Sequence, residues 1–251
     1  MSAASIAAIL AAVFGTATIS GVFGMAGGLL LMGVLTLALP VAAAMAVHGI
    51  TQITSNGSRV LLHFAHVRWR VTGVFGLGAL AAMLVFAGVV ATPSKALVFL
   101  GMGLLPILVW LPERWVPLDP TNPAHTAAAG FLTTALSLLT GISGPATDLF
   151  LTQGGLTRHQ MVATKASLQI FGHVAKVVVY GGAILGGEAT GAPWPLLVGA
   201  AVLAIAGATL GGRMLDLFSD EGFRRWRRWI FTAIAAVYLV QAARLFVLGG
   251  S

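Results

Sequence analysis

The sequence predicts an all-α polytopic membrane protein. It reads as two inverted structural repeats, each a Gly-broken, hairpin-like helix pair followed by three transmembrane helices. Three observations carry this. Of 251 residues, 58% are hydrophobic and only 8% are charged, against about 25% charged in a soluble domain. Apolar runs of about 20 residues, the length that spans a bilayer, recur along the chain, and the mean hydropathy is +0.95. Two of these runs carry the same polar stripe, 117 residues apart.

The elements follow in order. Ser5 to Ser20 is apolar and leads into Gly21-Val-Phe-Gly-Met-Ala-Gly-Gly28. A short run, Leu29 to Leu39, ends at Pro40, and Val41 to Phe64 is the first striped helix. Val71 to Ala91 and Ser94 to Leu111 are plain apolar spans. Pro112 to Pro123 holds four prolines with Glu113, Arg114 and Asp119, and reads as a linker. The order then repeats. Ala124 to Ser137 leads to Leu138-Leu-Thr-Gly-Ile-Ser-Gly-Pro145, and a short run ends at Thr152. The second striped helix runs from Thr157 to Leu185, and Pro193 to Leu215 and Phe223 to Leu248 complete the chain. The expected organisation is a first repeat at 1–111, a linker at 112–123 and a second repeat at 124–251.

The stripes are His48, Gln52, Asn56, Arg59, His63 and Lys165, Gln169, His173, Lys176, Tyr180. At about 100° per residue, each set falls within one arc of about 80°. The shift that aligns them also sets Ser20 on Ser137, Gly24 on Gly141, Gly27 on Gly144 and Ala46 on Ala163. Matching apolar residues alone arise by chance. The coincident Gln52/Gln169 and Arg59/Lys176 pairs do not.

Basic residues orient the chain, since cytoplasmic loops collect Lys and Arg. Arg68 and Arg70 follow the first striped helix, and Arg224, Arg225, Arg227 and Arg228 precede the last helix. Both groups are cytoplasmic only if each Gly-containing segment makes an even number of crossings. Each half then crosses an odd number of times, which inverts one half relative to the other, as in many secondary transporters. No basic residue precedes Arg59, so the amino terminus is expected outside, with no signal peptide.

The chemistry starts at the breaks. Gly27 and Gly28 in one half and Gly144 in the other interrupt apolar helices, and a helix that starts after such a break offers free N–H groups to an anion. Close helix packing by glycine is the alternative. Three cations, Arg59, Lys165 and Lys176, lie at membrane depth beside one acid, Asp148, whose counterpart is Leu31. Uncompensated buried charge is costly, so an anionic substrate is expected to join them. Gln52, Asn56, Gln169 and His173 would supply further polar contacts. Snorkelling of Arg59 to the interface, and neutralisation of one lysine by Asp148, stay open. His48, Asp148 and Tyr180 are the candidates for coupling or gating, and His173 with Asp148 motivates proton or ion coupling. A metal site from His48, His63 and His66 has no acid or thiolate to support it, so no metal and no cofactor is expected. The high pI of about 11.1 is explained by topology rather than by nucleic acid. No nucleophile–base set or carboxylate pair at depth suggests an enzyme, and no Walker-type motif suggests ATP hydrolysis.

The paired breaks, Phe23-Gly-Met-Ala-Gly-Gly28 and Thr140-Gly-Ile-Ser-Gly144, together with the segments at Ala46 and Ala163, resemble the TauE/SafE family of sulfite-exporter-type permeases. This is also called the 4-toluene sulfonate uptake permease family. The resemblance covers nearly the whole chain. It implies a permease of the bacterial inner membrane for sulfite, a sulfonate or a related sulfur oxyanion, working by alternating access around a midplane cationic site. An anion channel built on the same site is the alternative, and monomer and homodimer are both open. The chain departs from the family pattern where Ala26 and Pro145 replace glycines. It departs again where His48-Gly49 and Lys165-Ala166 replace the usual Thr-Ser pair, which bears on the choice of substrate.

Overall fold

The computed structural model describes residues 2–23, 26–88, 92–112, 118–152, 154–182, 193–214 and 220–249. The side chains of 22–23, 158 and 220–228 lie outside that description, as do Gly24 of the first break and the side chains of the arginine cluster, which falls inside the last helix rather than before it, because that helix starts at Asp220. The described residues form ten α-helices and no strand. In chain order they are α1 (Ala3–Phe23), α2 (Gly27–Ala38), α3 (Val41–Leu62), α4 (Trp69–Ala87), α5 (Lys95–Leu104), α6 (Pro123–Thr140), α7 (Gly144–Thr152), α8 (Arg158–Tyr180), α9 (Trp194–Met214) and α10 (Asp220–Val247). A 3₁₀ stretch, Leu105–Trp110, extends α5.

Local sequence explains the ends. Pro40 closes α2 and opens α3, because proline cannot donate into a continuing helix. Asn122 caps α6 by accepting from the N–H groups of Ala124 and His125, with Pro123 in the first turn where its missing N–H costs nothing. Thr157 and Gln160 form a capping box at the start of α8. Ser94 caps α5. In the linker, the Asp119 carboxylate accepts from the Thr121 hydroxyl and N–H, each at 2.7 Å, and these bonds hold its titration below the usual carboxylate range.

Among the described residues, four helices are long and apolar enough to cross a membrane: Ala3–Gly21, Trp69–Ala87, Trp194–Met214 and Trp229–Val247. They expose aliphatic stripes, Leu77, Leu80 and Leu84 on α4 and Val198, Val202 and Ile205 on α9. The aliphatic side chains face outward where lipid would lie, as expected of an integral, multi-pass membrane protein. The striped helices α3 and α8 are of similar length but sit inside, with His48, Gln52, Asn56, Arg59, Lys165, His173 and Lys176 buried.

Helix pairing is reciprocal between the halves. α1 packs on α9 and α4 on α6, while α3 packs on α8 and on α9, and α8 on α4. α3 and α8 run antiparallel. Gly49, early in α3, faces His173, Lys176 and Val177 late in α8, and Val60 clusters with Ala163 and Ala166 early in α8. α5 and α10 are also antiparallel, with Phe99 on Tyr238 and Trp110 on Trp229.

Glycine sets the closest approach. A Cβ on Gly78 of α4 would strike the Ala127 carbonyl of α6, and one on Gly130 of α6 would strike the Phe75 carbonyl of α4. Neither obstacle is a flexible side chain. Gly78→Ala and Gly130→Ala are each expected to cost about 1–3 kcal/mol, read as a lowered thermal midpoint in detergent. The opposite sign is expected at Ala26, which holds φ at 67° as a non-glycine residue. Ala26→Gly should raise the midpoint by relieving roughly 1 kcal/mol of backbone strain.

Candidate functional site

Both breaks open onto one cavity. Its wall is made of Ala26, Gly28 and Leu29 at the start of α2, and Ser143, Gly144 and Pro145 at the start of α7. His48 and Gln52 of α3 face Lys165, Gln169 and His173 of α8 across it. Ser20, Ile142 and Phe231 complete it. The cavity holds about 40 Å³, room for a few water-sized groups. Two helix N-termini therefore meet there, one from each half. Each brings N–H groups with no partner inside its helix and the positive end of its dipole. Four pairs in the wall are 117 residues apart: 26/143, 28/145, 48/165 and 52/169.

His48 and Lys176 tie the breaks together. Lys176 Nζ donates to His48 Nδ1 at 2.6 Å and to the Gly141 carbonyl at 2.8 Å. An ammonium only donates, so Nδ1 accepts, and Nε2–H donates to the Gly28 carbonyl at 2.8 Å. Gly141, at φ 82°, is the left-handed C-cap of α6. Lys176 thus supplies a donor to an orphan carbonyl at the negative end of that helix. Tyr180 does the same one turn earlier, its hydroxyl donating to the Leu138 carbonyl at 2.8 Å. The His48 ring stands edge-on to His173, with centroids 5.4 Å apart.

The remaining expected residues divide. Arg59 does not snorkel. It is 3% exposed, and its guanidinium donates to the Ser20 and Ser55 hydroxyls and the Ser55 carbonyl at 3.0–3.3 Å. Arg59, Lys176 and Asn56 lie behind the cavity wall rather than in it. Neither polar atom of the Asn56 amide has a hydrogen-bond partner among the described residues. Gly27 packs against α1, where a Cβ would strike the Thr16 carbonyl. Asp148 reaches back from α7 to Lys165 at 2.7 Å. His63 and His66 stand apart from His48, beside His159 at the junction of α3 and α8. Ser143 and Phe231 were not expected in the wall. Ser143 directly precedes the Gly144 break and could have been found there, but Phe231 had no signal beyond being apolar.

The sulfite exporter TauE/SafE family model matches residues 8–239. The chain belongs to this family. No curated protein and no solved structure matches it. TauE/SafE proteins are transporters rather than enzymes, and the membership makes this chain a membrane permease of the sulfite-exporter type. Its cavity suits that role, because the donors around it, backbone N–H, amide and ammonium, all favour an anion.

In this TauE/SafE member, the His48–Lys176 link carries a buried cation. His48→Ala removes one of its two acceptors and is expected to cost roughly 2–4 kcal/mol. His48→Phe combined with Lys176→Met removes donor and acceptor together and should recover part of the loss. Thermal unfolding of the purified variants in detergent measures both.

Proposed function

We propose that the chain is a secondary transporter of a small sulfur oxyanion, sulfite or a small sulfonate, by alternating access around the cavity between the two breaks. One observation carries the reading: a helix N-terminus from each half meets Lys165, Gln52 and Gln169 in one cavity. Lys165 acts as a point charge, and the two glutamines and the N–H groups of Gly28 and Gly144 hold the oxyanion oxygens. His173 lies close enough to share the load. Arg59 and Lys176, behind the wall with the uncharged Asn56, raise the positive potential without direct contact. The small volume favours an inorganic anion or a short sulfonate over a bulky one.

The mechanism we assign is an inverted repeat, 1–111 against 124–251 across the linker 112–123. Its support is the antiparallel pairing of the equivalent helices α3 with α8 and α5 with α10, and the reciprocal packing of α1 on α9 and α4 on α6. A two-fold axis in the membrane plane relates antiparallel equivalents, and rocking one half against the other then exposes the same site to either side. The place of action we assign is the bacterial inner membrane, with Tyr180 and His48 anchoring the breaks as the halves move.

Labelled-sulfite flux into proteoliposomes tests this. Wild-type protein should show saturable, anion-dependent flux, and Gln169→Ala and Gln52→Ala should each lose at least about tenfold in affinity, one lost bond to a charged ligand, while staying folded. Absence of any sulfur-oxyanion flux sinks the proposal. Single-molecule currents would redirect it to a channel.

A further inference from the structure

Lys165 lines the cavity and already has an anion on it. Asp148 Oδ1 lies 2.7 Å from its ammonium, with the two side chains 9% and 4% exposed. Asp148 is the one acid among the described buried residues, and its Oδ2 has no hydrogen-bond partner among them. Structural need does not explain the pair. Buried ion pairs are often replaceable by apolar residues without loss, and in the other half the equivalent positions are Leu31 and His48. Of the two sets of positions only this one carries the charged pair, and its lysine lines the cavity.

A charged Asp148 does to Lys165 what a substrate anion would do. A second anion beside it meets like-charge repulsion, which is strong at such short range in a partly screened site. The other groups near the carboxylate are few. α7 packs against α6, α8 and Leu105–Trp110. From α8 come Lys165 and, farther along, His173 and Lys176. α6 carries only His125, at its far end, and the Leu105–Trp110 stretch has no ionisable group. His48 faces from across the cavity. Protonating Asp148 is therefore the direct way to free Lys165.

We infer that Asp148 is a proton-operated stand-in for the substrate. While ionised it holds Lys165 and keeps the cavity closed to anions. A proton taken from the solution on the loading side bonds to Oδ2 and cancels the carboxylate charge, and Lys165 turns to the incoming anion. When the anion leaves, the same proton leaves to that side and the ion pair re-forms. One proton thus accompanies each anion in the same direction. This rests on the transport reading above and adds its coupling ion.

The test uses sulfite together with methanesulfonate and thiosulfate. The latter two keep their full charge from about pH 5 to pH 8, well above the range where such strong acids protonate, so a pH dependence belongs to the protein. Isothermal titration of the wild-type protein in buffers of different ionisation enthalpy should show uptake of close to one proton per anion bound. Affinity should rise as pH falls, by up to about tenfold per unit, as reciprocal linkage requires. Asp148→Asn should bind with no pH dependence and no proton uptake, and its liposome flux should ignore a pH gradient. Asp148→Asn/Lys165→Gln, a neutral pair of similar shape that guards against misfolding of the single variant, should bind far more weakly at every pH. Wild-type binding without proton uptake, or unchanged uptake in either variant, overturns the inference. Failure of the wild type to bind any of the three anions at any pH overturns the transport reading instead.

Discussion

Lys176 sits where the two halves of the bundle meet, and among the described residues its ammonium has two acceptors: a helix-ending carbonyl in one half and a histidine ring from the other. That histidine is held in turn by the carbonyl of Gly28. At membrane depth no water is on hand for a carbonyl released by a helix break, so the protein must supply the donor itself. Lys176 does this for the Gly141 carbonyl that ends α6, and His48 ties Lys176 to the Gly28 carbonyl in the first turn of α2. The two breaks are thereby linked, and the halves cannot separate there without stranding a charge.

The three buried cations among the described residues are handled in three ways. Arg59 spends its guanidinium on serines of α1 and α3. Lys176 holds backbone and imidazole, and Lys165 holds a carboxylate. Only the last faces the cavity. In the proposed site, the rest of the attraction for anions comes from backbone N–H groups at two helix starts, which cost no side-chain ordering and cannot be lost by deprotonation. The positive field is thus largely built into the fold, and a single ionised side chain adjusts it.

Much of this was legible in the pattern of residues. The stripe of His48, Gln52, Asn56 and Arg59, set against Lys165, Gln169, His173 and Lys176, located the two inner helices. A polar arc on an apolar helix has nowhere to point in lipid except inward. Pro40, Asn122-Pro123 and Thr157 marked helix ends through rules that act over a few residues. The stripe did not show which of its members face a cavity. Periodicity places a residue on a face about 80° wide, and Gln52 and Asn56 share that face, yet only Gln52 reaches the wall. Phe231 comes from a helix with no such stripe.

The sequence by itself determined the membrane setting, the helices and the excess of buried cations, because these follow from composition and from spacing along one chain. Tertiary structure alone decided that Arg59 is satisfied by serines, that Lys176 braces the breaks, and that Asp148 takes Lys165 as its partner. Each depends on which side chain of one helix meets which group of another, at separations of 17 to 128 positions in the chain. Contacts of that reach are set by how the helices pack, a property that no local pattern encodes.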